Sequence, residues 1–111
     1  MPFDPNPDPI PRVPDSAADR LERLREFFKR YRWTQGSYAR AHEDRPVQVM
    51  DNAAISFCLV GAANRLNIDQ EVLARDLGFP NSRKMINFND AGDTTVRSVV
   101  SLIRASLRRF E

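Results

Sequence analysis

Apolar side chains recur along this chain at the three- and four-residue steps of α-helices, and the polar residues between them mark the joints. Ser16 can cap a first turn with its hydroxyl, and Asp19 stands three residues on in the place of a capping-box acid. Leu21, Leu24, Phe28 and Tyr31 then form one apolar stripe, opposite a charged face on which Glu26 precedes Lys29 and Arg30 by three and four residues. Gly36 and Pro46 bracket a polar stretch that reads as a short helix or loop. A second helix is predicted from about Asp51 or Asn52 through Leu66. It is apolar almost all round and therefore central, and Gly61, Ala62 and Ala63 permit another helix to approach closely.

Asn67 and Gln70 repeat the capping-box spacing, which predicts a third helix opening at Ile68 or Asp69 and running through Leu77. Gly78 is placed as its left-handed stop, with Pro80 two residues later. Ser82–Phe88 reads as a short helical piece, and residues 87–93 as a tight polar turn. Asp93 or Thr94 would cap a last helix, whose stripe is Val96, Val99, Val100, Ile103, Leu107 and Phe110. No stretch alternates with period two. The pattern predicts an all-α, compact single-domain bundle of four to six helices over residues 16–111.

Ahead of it, residues 1–15 form a proline-rich arm, expected to be extended or disordered. It lacks the apolar h-region of a secretory signal, and Phe3, Ile10 and Val13 would be its anchors if it docks. The arm carries three Asp and one Arg, net −2, within a chain of net charge +2. Fifteen of the seventeen basic residues are Arg, the side chain suited to planar, multidentate contacts. No apolar run approaches the ~20 residues that span a bilayer. With one cysteine and one histidine, neither an internal disulfide nor a structural zinc site can form, and the expected setting is the cytoplasm.

Catalytic chemistry has little to stand on. Cys58 would need His42 as its base, but it lies in the most apolar segment, where burial makes a thiol inert. His42-Glu43-Asp44 is consecutive and lacks metal-ligand spacing, and no phosphate loop, dinucleotide motif or nucleophile elbow occurs. No catalytic residue, metal or cofactor is therefore expected.

Nucleic-acid binding has two supports. Residues 71–88 resemble a helix-turn-helix, with Ala74 and Gly78 at the required spacing, although Lys84 and Asn87 fall where apolar residues should be buried. Arg83 and Lys84 would belong to its second helix. Arg97, Arg104 and Arg108 fall within about 40° of one another on the last helix, where they can meet phosphates or complement the helix dipole. A separate polar cluster, Trp33, Gln35, Asn89 and Asp90, belongs to two turns that can face each other at one end of the bundle.

Three short motifs then point to a family. Trp33-Thr34-Gln35-Gly36, Cys58-Leu59-Val60-Gly61-Ala62 and Phe88-Asn89-Asp90, in that order before a Val- and Leu-rich last helix, resemble the motifs of a family of small uncharacterised bacterial and phage proteins. The resemblance covers about residues 21–111. It departs in having Phe88 where tryptophan is common, and Thr94-Thr95-Val96 where a threonine-histidine pair often sits. It implies no activity, but it groups Gln35, Cys58, Asn89 and Asp90 as one spatial cluster. These features favour an accessory or regulatory protein acting through a protein partner or self-association. Nucleic-acid binding is the alternative, and small-molecule binding at the Gln35, Asn89 and Asp90 end is the second.

Overall fold

The computed structural model describes residues 16–110; the proline-rich arm of residues 1–15 lies outside the described residues. Five α-helices take up just over half of the described residues: α1 (Ala17–Arg30), α2 (Leu59–Arg65), α3 (Gln70–Asp76), α4 (Ser82–Asp90) and α5 (Val96–Arg108). Between α1 and α2 the chain forms a small sheet from β1 (Arg32–Trp33), β2 (Ala39–Arg40) and β3 (Ser56–Phe57), with one 3-10 turn at His42–Asp44. The helical expectation thus holds in its coarser form: the fold is mostly helical, with a minor three-stranded sheet added.

Ser16 caps α1 as its position predicts, accepting the Asp19 amide at 3.0 Å. The buried register of α1 runs through Leu21, Leu24 and Phe27, with Phe28 and Tyr31 only half-buried beside it. Phe27 explains the shift, since it gathers Tyr31 and Phe57 at ring-centroid distances of 4.7 and 4.9 Å. Lengthwise, α1 packs on α5; crosswise, Arg20 grips the buried carboxylate of Asp76 on α3 with two bonds of 2.7 and 3.1 Å.

The long second helix does not form. Ile55 O accepts from Arg32 N, Phe57 O accepts from Thr34 N, and Cys58 N donates to Tyr38 O, so residues 55–58 run extended between two neighbours. β3 is the central strand, parallel to β1 and antiparallel to β2. A short buried strand and a buried helix share the same uniformly apolar composition, so periodicity does not separate them. Only from Leu59 does the chain become helical.

Asn67, at φ +60°, ends α2 in the left-handed region instead of opening a capping box. Asp69 caps α3 in its place, accepting from Glu71 N and Val72 N. Gly78 does stop α3, at φ +91°. Helix α4 continues two residues past the expected end, so Asn87, Phe88, Asn89 and Asp90 form its last turn and not a polar loop. The cap of α5 is Thr95, which exchanges bonds with Ser98 in a capping box; neighbouring Thr94 turns back to donate to Phe88 O at 2.7 Å. Val99 and Ile103 carry the α5 stripe inward, while Val96 and Phe110 stay exposed.

Candidate functional site

The three motifs meet at a single junction, and Asn89 is its hub. Asn89 is buried in the last turn of α4. Its Oδ1 accepts from Trp33 Nε1 at 2.7 Å and from the Leu59 backbone N–H at 3.0 Å. Its Nδ2 donates to Thr34 O at 3.2 Å and to Asp90 Oδ1 at 2.9 Å. Both partners of the oxygen are donors and both partners of the nitrogen are acceptors, so the amide has one consistent orientation with all four bonds made. Asn89 and Asp90 therefore belong to no turn of their own: tertiary partners replace the local backbone bonds that Asn and Asp otherwise favour.

Gln35 closes the junction from the other side. Its Nε2 donates to Asn89 O at 2.9 Å and Ala91 O at 2.8 Å, satisfying carbonyls that the end of α4 leaves open. Gly36 N adds a bond of 3.1 Å to Asp90 Oδ1. The second motif supplies the start of α2. There Asn89 satisfies the Leu59 amide, and Cys58 Sγ accepts from Gly61 N at 3.2 Å as the helix cap.

Gly61 is not packed against another helix, as its small size suggests. A Cβ placed there would lie 1.9 Å from the carbonyl oxygen of Tyr38, so the glycine admits the extended backbone of residues 37–39 onto α2. The expected clustering of Trp33, Gln35, Cys58, Asn89 and Asp90 thus holds in space.

The family of unknown function DUF6197 matches residues 12–109. The chain belongs to that family. The DUF6197 match starts ahead of the resemblance drawn from the motifs and takes in residues 12–15 of the arm. No curated protein and no solved structure matches the chain.

A groove of about 780 Å³ opens beside the junction of this DUF6197 member. Residues 36–39 and 46–49 form one side, and α2 and α4 form the other, with Val47, Val49, Val60 and Ile86 as apolar walls. Cys58, Asn64, Asn89 and Asp90 provide its polar surface. Segment 46–49 has no regular structure. It is held by the Arg40–Pro46 bridge, by Val47 N on Ala39 O, and by Arg65, whose Nη1 donates to the carbonyls of Val49 and Asp51. Sequence reasoning does not find these walls, because what places them is long-range and involves backbone carbonyls.

Burial pushes the Cys58 thiol above its ordinary value; nearby Asp90 acts in the same direction, against the lowering effect of the Gly61 and Val60 amides. A neutral thiol already engaged as a helix cap is a poor nucleophile. His42 lies exposed in the 3-10 turn.

The basic residues lie elsewhere. Arg83 and Lys84 are exposed on the first turns of α4, whose inward face is Ser82, Met85 and Asn89. The cap at Asn81 sets that register, and it turns Lys84 and Asn87 outward, not into the core as a helix-turn-helix aligned on Gly78 would have them. Arg97, Arg104 and Arg108 are all exposed on α5. Arg104 and Arg108 border a cleft of about 490 Å³ that they share with the acidic Asp19 and Glu22 of α1.

Proposed function

We propose that this protein is a non-enzymatic accessory or regulatory protein that holds an extended segment of a protein partner in the groove beside the Asn89 junction. The groove carries the reading: about 780 Å³ with apolar walls interspersed with polar side chains, braced by a fully bonded junction. Ligand pockets of roughly 300–1,000 Å³ enclose most of a small molecule's surface. A half-open trough suits a chain passing through it better. Its rim supports the same reading, because Tyr38 is 60% exposed and nearby Met50 is 66% exposed, and aromatic residues and Met are enriched at protein interfaces. The raised, capped thiol of Cys58 supports binding over catalysis. No helix among the described residues is long and apolar enough to cross a membrane. A cytoplasmic setting belongs to the proposal and is supported by the lone, buried, free cysteine.

Selection of a random peptide library on the full chain, with Tyr38→Ala and Ile86→Glu variants in parallel, tests the reading. Enrichment on the wild type that both variants lose supports it; no enrichment, or equal enrichment on all three, overturns it. Light scattering over a concentration series separates a foreign partner from a second copy.

A second reading, nucleic-acid binding, is favoured by one observation: Arg83, Lys84 and Asn87 form an exposed face on α4 next to the α3–α4 turn. It requires salt-sensitive retardation of DNA or RNA that weakens when Arg83 and Lys84, or Arg97, Arg104 and Arg108, become Ala. Absence of retardation at low salt removes it.

A further inference from the structure

We infer that the groove selects segments carrying a Lys or Arg side chain, whose cationic head meets Asp90 while neighbouring apolar residues lie on Val47, Val49, Val60 and Ile86; this rests on the groove being a protein-binding site. Among the described residues, Asp90 is the only Asp or Glu in the groove lining, and no Lys, Arg or His lines it. The Cys58 thiol in the same lining is pushed up by burial and brings no charge near pH 7.

Asp90 is also oriented. Its Oδ1 is fixed by Gly36 N and Asn89 Nδ2, and among the described residues Oδ2 has no partner. The side chain is therefore held in place by one oxygen and presents the other at an exposed position.

The neighbouring cation on the 36–40 side is already committed. Arg40 donates to Thr34 Oγ1, Asp44 O and Gln35 O at 3.1, 2.9 and 3.1 Å, so its guanidinium is bonded within the loop, and among the described residues it makes no ion pair with Asp90. A fixed carboxylate in the lining of a groove with apolar walls is complementary to a long side chain whose aliphatic stem packs and whose head is charged. The exposed Tyr38 ring on the rim offers such a cation a second contact through its face.

The test separates this inference from the groove itself. Peptides selected on the full wild-type chain are compared with those selected on Asp90→Asn, which keeps an acceptor for Gly36. A basic position flanked by apolar residues is expected on the wild type, and Asp90→Asn should lose the basic preference while retaining the apolar one. A peptide-side measurement avoids any dependence on how the variant folds: replacing the selected Arg by citrulline should weaken wild-type binding about fivefold by fluorescence anisotropy. Wild-type peptides without a basic position, or equal affinity for the Arg and citrulline peptides, overturn the charge inference and leave the groove standing. No enriched peptide at all overturns both. Binding of a free alkylamine as tight as that of the selected peptide overturns the peptide as the occupant.

Discussion

Replacing Asn89 by Ala should be among the most damaging single changes in the protein, and its size can be worked from the bonds. Asn89 is 3% exposed, and truncation removes every partner of its amide at once. The Leu59 N–H, at the buried start of α2, loses its acceptor; the half-buried Trp33 indole N–H loses its own; and Thr34 O loses a donor. A buried polar group left without a partner costs about 1–3 kcal/mol. With the Leu59 amide near the top of that range, and water partly relieving the other two, the total comes to about 3–4 kcal/mol. For a domain of this size that corresponds to a fall in Tm of at least about 12 °C.

Trp33 is the only tryptophan, so urea denaturation followed by its fluorescence reads the junction directly. Asn89→Asp makes the comparison sharper. It keeps the acceptor for Trp33 and Leu59 but turns an oxygen toward Thr34 O and Asp90. Burial and Asp90 disfavour ionisation of the new carboxyl, so its folded pKa is raised. The variant should therefore approach wild-type stability in acid and lose it as pH rises through that raised pKa. An Asn89→Ala protein within 1 kcal/mol of wild type would refute the reasoning.

Gly61→Ala should destabilise by about 1–3 kcal/mol in the same urea assay despite the better helix propensity of Ala, because its Cβ falls 1.9 Å from Tyr38 O; a more stable variant would contradict the close approach. Ser106 is fully buried and its Oγ has no hydrogen-bond partner among the described residues, so Ser106→Ala should be neutral or stabilise by up to about 1 kcal/mol, and a clear loss of stability would show that the hydroxyl is bonded. The Ser82 hydroxyl and amide donate to Glu71 and hold its carboxyl below the ordinary range. Its stabilising contribution is therefore present above the unfolded value of about 4.5 and lost as pH falls through the lowered one, so Glu71→Gln should flatten the acid limb of a stability-versus-pH curve; an unchanged limb would contradict this.

The helices with one apolar stripe are legible in the amino-acid pattern: α1 with its Ser16 cap, α3 with its Gly78 stop, and α5. The sheet is not, because each strand has two residues and the partners lie far apart in sequence, as Arg32 and Ser56 do. No alternation can show over two residues. That same sheet, with the loop leading into it, takes up the first half of the expected second helix. The turn expected at residues 87–93 gives way to helix for a related reason: Asn and Asp favour turns through local bonds, and Asn89 makes distant ones instead.

The junction is half legible. The motifs and their order bring Gln35, Cys58, Asn89 and Asp90 together, but nothing in the spacing shows that Asn89 bridges Trp33 and Leu59. The groove walls at 46–49 leave no trace in the pattern, since Arg65 holds them through the carbonyls of Val49 and Asp51, which carry no sequence signature.

The most direct test of the central claim, that one buried amide ties the three motif segments together, is hydrogen exchange by NMR at the Trp33 indole N–H and the Leu59 amide. Both donate to the same Asn89 oxygen, so both should be strongly protected, exchange with the same opening free energy, and lose protection together in Asn89→Ala. An indole N–H that exchanges at the rate of an exposed tryptophan, beside a Leu59 amide that stays protected, would contradict the account.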